Sequence, residues 1–229
     1  MSDGVLLQPT LATLRGLLSS YEADATVTAA RDELGGAPDP GRADHAARLR
    51  VLLNQWNCRI PYPEQGSDDM LSGSLAAWWP DARQCLPPDG QRLAVLAAAQ
   101  LDAVTRAYEG LVSRPAAANR AGRVRSLGPT ATAKLLYFLR PDAVPPWDKA
   151  ISASTGGGSD GRAFLAHLRL CQRWAVDLEA QGRALGLEPG QLPAYLFRPG
   201  SSLARLIDEW LYATITAGLH PAAAAADPA

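Results

Sequence analysis

The run Pro145-Pro146-Trp147-Asp148 places a carboxylate behind two prolines, and Lys134, one of only two lysines in the chain, lies one helix earlier. The prolines stiffen the approach and fix where Trp147 and Asp148 point. As function, this geometry presents a preorganised carboxylate. The same residues also have a structural reading, with Asp148 as the N-cap of the following helix and Trp147 as a staple against the core. The choice of lysine at position 134, in a sequence that otherwise uses arginine, suggests a need for an amine as well as a charge.

Upstream of this run the charge is one-sided. Arg114, Arg120, Arg123, Arg125, Lys134 and Arg140 fall between Gly110 and Pro141 with no acidic residue among them, although the whole chain is net −1. A local basic stretch on an acidic body suits a directed anion contact. Its plain alternative is a set of solvated arginines around a loop.

Three further groups stand out. Trp56, three residues before Arg59, can stack on a base or help clamp an anion, or can be a core tryptophan beside a helix-terminal arginine. Trp78 and Trp79 are adjacent, so they cannot both face the core of one helix. Asp208 and Glu209 can hold an arginine from the basic segment or add a second carboxylate to a cleft, and by default such a pair forms a solvated face.

The elements that must position these groups read as helices throughout. Apolar residues three and four apart mark helices through Leu11, Leu14, Leu17, Leu18 and Tyr21, through 27–34, and through Leu49, Leu52, Leu53 and Trp56. Ser67-Asp68-Asp69 caps a helix that Pro80 should stop, and Pro87-Pro88-Asp89 should open a long helix through Leu111. Residues 113–125 read as a loop, followed by a helix over 129–139 with proline at its tolerated first position. A short helix begins near Asp148, and residues 156–161 form a flexible glycine loop. Two more amphipathic stripes follow, Phe164 to Leu178 and Leu203 to Leu211. No alternating strand pattern or internal repeat is evident. The expected architecture is all-α, an irregular helical bundle forming one domain over 1–219 with a disordered tail over 220–229.

Composition fits this picture. At 229 residues with 47% hydrophobic and 20% charged residues the chain can bury a core. No apolar run approaches the roughly 20 residues of a membrane span, and no signal-peptide core is present. Cys58, Cys85 and Cys171 are odd in number and far apart, and His45, His167 and His220 are scattered. They imply reduced thiols of a cytoplasmic protein, with no metal site and no cofactor. The glycines at 156–161 follow a helix, so they are not a dinucleotide-binding fingerprint.

The segment Val124-Arg125-Ser126-Leu127-Gly128-Pro129-Thr130-Ala131-Thr132-Ala133-Lys134 opens a helix at a glycine turn. The helix then leads through a proline-rich loop to Asp148. This resembles the helix-hairpin-helix element of the DNA glycosylase superfamily, with the spacing of its endonuclease III and adenine glycosylase branches. Gly128 matches the second hairpin glycine and Asp148 the family aspartate. The resemblance covers residues 124–150 and implies a glycosylase-like helical fold that binds DNA. Backbone N–H groups at the glycine turn, with Arg123, Arg125, Ser126, Thr130 and Thr132, would hold phosphates. Asp148 would serve catalysis at a base flipped out of the duplex, with Lys134 as an auxiliary group. Trp56, Arg59 and Trp147 would line the base pocket. Two departures limit the match. Ser126 stands where the first hairpin glycine is expected, and Thr130 where bifunctional members carry a Schiff-base lysine, so a monofunctional, non-lyase hydrolase is implied. The residues alone also leave open a small-molecule enzyme or binding protein with a cleft around Arg59, Lys134 and Asp148, and a non-catalytic interaction module.

Overall fold

A computed structural model describes residues 6–19, 26–64, 66–118 and 122–219. Tyr21, Arg120, His220 and the 220–229 tail lie outside the described residues. The chain forms α1 (Leu11–Leu18), α2 (Thr26–Glu33), α3 (Ala43–Gln55), α4 (Met70–Cys85), α5 (Ala98–Val112), α6 (Gly128–Leu139), α7 (Lys149–Ser154), α8 (Gly161–Ala184), α9 (Leu192–Tyr195) and α10 (Leu203–Leu211). One turn of π-helix, Tyr212–Thr216, continues α10. Buried side chains from all ten helices join one hydrophobic cluster. No helix among the described residues is long and apolar enough to cross a membrane.

Local chemistry sets most boundaries. Thr10, Asp69, Asp148, Asp160 and Ser202 each accept a backbone N–H at the start of their helix, a contact that contributes about 1 kcal/mol apiece. The stripe Phe164, Leu168, Cys171, Trp174 and Leu178 is buried along α8, as expected from its spacing. Gly161 begins α8 where a side chain would collide with Glu109 of α5, so the two helices meet closely at that end.

Three expectations fail, each for a local reason. Pro80 does not stop α4, which continues to Cys85. An interior proline costs about 3 kcal/mol. Here Trp78 and Ala82 stay buried on either side of it, and Trp78 Nε1 donates to Ala107 O at 2.9 Å. The long helix from Pro87 is instead a 3₁₀ turn, Leu93–Val95, followed by α5. Leu93 N donates to Asp142 O at 2.8 Å, tying this segment to the loop after α6.

The third failure is the loop at 113–125. It contains two antiparallel strands, β1 (Pro115–Ala118) and β2 (Val124–Ser126), with Pro115 opposite Ser126 and Ala118 opposite Val124. The ribbon is held on α4 by Ser74 Oγ, which donates to Pro115 O at 2.6 Å. Strands of four and three residues carry too little alternation to be seen in the sequence. The link from α5 to α6 is therefore a β-ribbon that runs directly into α6 at Gly128, whose φ is +79°.

Candidate functional site

The end of α3, α6, the start of α7 and α10 converge on a cleft of about 430 Å³ lined by Trp56, Lys134, Tyr137, Asp148, Asp208 and Tyr212, among others. That volume lies within the range of small-ligand sites. Asp148 reaches it as the N-cap of α7, with Oδ1 accepting the Ile151 N–H at 2.9 Å. Lys134 projects from α6, and its Nζ donates to Trp56 O at 2.8 Å, joining α6 to the end of α3. Trp56 and Tyr137 form an aromatic wall, with ring centroids 5.9 Å apart.

α10 supplies a further wall. Arg205 Nη1 donates to Asp208 Oδ2 at 2.8 Å and Arg205 Nε to Glu209 Oε1 at 3.1 Å. Arg198 Nε donates to Glu209 Oε2 at 3.2 Å, with both side chains almost fully buried. Asp208 and Glu209 are therefore not a solvated face. They are buried carboxyl groups held by two arginines, Arg198 and Arg205, as buried polar groups require partners. Burial pushes the Asp208 carboxyl up to about 6, with Asp148 and Glu209 adding to the rise against the pull of Arg205 and Lys134.

Behind Asp148 the loop is locked. Trp147 is buried at 2% exposure, edge-on to Tyr108, tilted against Phe164 and stacked on His167. His167 Nε2 lies 3.1 Å from Pro146 O. The carbonyl can only accept, so Nε2 carries the proton. Burial lowers the His167 pKa to about 4, which keeps the ring neutral near pH 7. Trp147 thus closes the cleft floor as a core residue, and its face is covered by protein rather than open for base stacking.

A second cavity of about 520 Å³ adjoins the first, lined by Pro129 and Thr130 of α6 together with Trp147, Asp148, Lys149, Ser152 and residues 157–159. Asp148 and Trp147 belong to both cavities. Arg123, Arg125 and Ser126 lie exposed on the approach to α6, with Gly128 and Thr130 half-buried at its start. Two predicted contacts change. Thr132 is fully buried, and among the described residues its Oγ1 has no partner. Residues two apart on a helix face different ways, so Thr130 and Thr132 cannot share a phosphate. Arg59 is exposed, with φ 53°, and is not among the cleft residues. Asn54 clamps Ile60 through both its N–H and its C=O, at 2.6 and 2.8 Å, which tucks Ile60 in and turns Arg59 out.

The sequence reading placed Lys134, Asp148, Trp56 and Trp147 around one site, and the structure brings all four to the cleft. It did not single out Tyr137, Arg205 or Tyr212, nor His167 as the residue that fixes the Asp148 loop. For Arg205 a signal existed, three and four residues before the acidic pair on one helix. Among the described residues no three His, Cys, Asp or Glu side chains cluster as a metal ion would require. Comparison with known proteins gives no match: no family model, curated protein or solved structure is similar to the chain.

Proposed function

We propose that the protein is a DNA glycosylase-like hydrolase of the helix-hairpin-helix kind. On this reading it binds duplex DNA at the corner where β2 enters α6, and receives a nucleotide turned out of the duplex in the adjoining cleft. The observation that carries the reading is the double placement of Asp148. It lines both the cavity at the start of α6 and the aromatic cleft with Lys134.

The physics of each half is distinct. At the corner, Arg123 and Arg125 are two apart in extended chain and project to the same side. Together with Ser126, Thr130 and the backbone N–H groups opening α6, they form a cationic surface for phosphates that reads no sequence. In the cleft, Trp56 and Tyr137 offer aromatic surface to a base. Asp148 would stabilise the positive charge that grows on the sugar and accept a proton from the attacking water. Lys134 is an auxiliary group here. Its Nζ is tied to Trp56 O, which holds the aromatic wall against α6, so no Schiff base is invoked.

A second reading rests on one observation. Asp148, Asp208 and Glu209 outnumber Lys134 and Arg205 in the cleft lining, which suits a free neutral or cationic small molecule better than a phosphate. The deciding experiment uses duplexes with uracil, hypoxanthine, 8-oxoguanine or 7-methylguanine, and alkaline cleavage at the abasic site left by excision. The wild-type protein should release at least one base, and Asp148→Asn should slow release by about 10²-fold or more while duplex binding persists. Equal turnover by the variant would end the assignment of Asp148. No release from any duplex would favour the small-ligand reading.

A further inference from the structure

Asp208 lines the cleft from α10, near enough to Asp148 for the two carboxyls to interact, and its carboxyl is gripped on one side. Arg205 Nη1 takes Oδ2 at 2.8 Å, and Glu209, clamped in turn by Arg198, takes Arg205 Nε at 3.1 Å. This chain of charges fixes the Asp208 carboxyl at the cleft wall. With Oδ2 bound to a guanidinium, Oδ1 is the oxygen on which a proton would reside.

We infer that Asp208 is a second catalytic carboxylate of this cleft, the general acid that protonates the departing base while Asp148 acts at the sugar. The inference rests on the glycosidic reading of the cleft given above. The two carboxyls differ in surroundings, which is how one fold assigns acid and base roles to the same chemical group. Asp148 stands half-buried at a helix start, where it accepts a backbone N–H. Asp208 is 8% exposed. The groups facing it are Arg205 and Glu209 on its own helix, Asp148 before α7, Lys134 on α6, Tyr212 after α10 and the buried Cys171 thiol of α8. Burial and the two neighbouring acids favour its protonated form, and its carboxyl titrates at about 6.

The step balances as follows. The bond between the sugar C1′ and the base nitrogen breaks, and its electron pair leaves with the base. The base takes the proton from Asp208 Oδ1. Water adds to C1′ and gives its proton to Asp148. Once the products leave, proton exchange with solvent restores both carboxyls. Substrates of this site would accordingly be neutral bases whose ring nitrogen or carbonyl must be protonated to depart. A base that is already cationic needs no such help.

The test compares the neutral base released fastest by the wild type, among uracil, hypoxanthine and 8-oxoguanine, with cationic 7-methylguanine, over pH 5 to 8 under single-turnover conditions. On the neutral base the wild-type rate should fall about tenfold per pH unit above the Asp208 titration. Asp208→Asn should lose about 10²-fold at pH 5.5 and lose that pH dependence. Asp208→Glu should recover part of both, and Asp208→Asn should lose less on 7-methylguanine than on the neutral base. Circular dichroism and melting confirm that the variants fold; if the asparagine variant does not, the glutamate variant carries the comparison through its displaced pH limb. An unchanged pH limb in Asp208→Asn, equal losses on both bases, or a wild type that releases 7-methylguanine alone each overturns the inference and leaves the role of Asp148 standing. A wild type that releases no base removes the glycosidic reading and this inference together.

Discussion

The α10 wall of the cleft and the β2–α6 corner both carry arginines, and they handle them in opposite ways. In the wall, Arg198 and Glu209 are 6% and 4% exposed and Arg205 bridges two acids. At the corner, Arg123 just before β2 and Arg125 within it lie on the surface. Buried charges must be paired and fixed, so they preorganise what they touch. The corner arginines instead stay in contact with solvent. The contrast divides the molecule into a region of buried, fixed charge and one of exposed cationic surface.

Breaking the wall should therefore cost folding, whereas breaking the corner should not. Glu209→Ala removes the buried carboxylate that Arg198 and Arg205 both hold, a loss of about 3–5 kcal/mol. For a chain of this size that corresponds to a melting temperature lower by about 10 °C. A shift below about 2 °C by calorimetry would show that the wall is not held by this network.

A smaller effect, with a sign, sharpens the comparison within the wall and floor. His167 titrates at about 4 in the fold against 6.5 when exposed. Its contribution to stability is present above pH 6.5 and is lost as pH falls through about 4. Asp208 is shifted the other way, from 3.8 to about 6. Its contribution is present below pH 3.8 and is lost as pH rises through about 6. The two oppose each other across the same window, each worth about 3 kcal/mol at most. His167→Gln, which keeps a donor for Pro146 O, should remove the acid-sensitive half. Between pH 7 and pH 4.5 the melting temperature of the variant should fall less than that of the wild type, or rise. Parallel pH profiles would refute the burial-driven shift of His167.

The smallest expected effect on stability belongs to the corner. Replacing Arg123 and Arg125 together by alanine should change stability by less than about 1 kcal/mol, the scale of surface substitutions, which thermal melting would register.

The helices with long stripes were legible because their burial follows the 3.6-residue period. The stripe from Phe164 to Leu178 and that from Leu203 to Leu211 are buried as read. The β-ribbon was not legible, since Pro115–Ala118 and Val124–Ser126 are short and are fixed by pairing with each other and by the bond from α4 to Pro115. Pro80 misled because a local rule about helix termination lost to the packing of Trp78 and Ala82. At the site, Asp148 was readable from its prolines and Lys134 from its rarity. Asp208 looked like a surface acid because its partners come partly from outside its helix: Arg198 holds its neighbour Glu209 from the preceding loop, and Lys134 and Asp148 approach from α6 and the start of α7. Arg59 and Thr132 were misplaced because a side-chain clamp and the turn of a helix decide where they point.

Fluorescence anisotropy with a duplex carrying an abasic-site analogue, against the plain duplex and over a range of salt, tests both regions at once. The corner should set the salt dependence, so the Arg123→Ala, Arg125→Ala double variant should lower the slope of log affinity on log salt by about 2. The cleft should set the preference for the abasic site, which the same variant should leave intact. That outcome supports a DNA-binding corner feeding an Asp148 cleft. Binding that is equal on both duplexes, or absent at low salt, would contradict it.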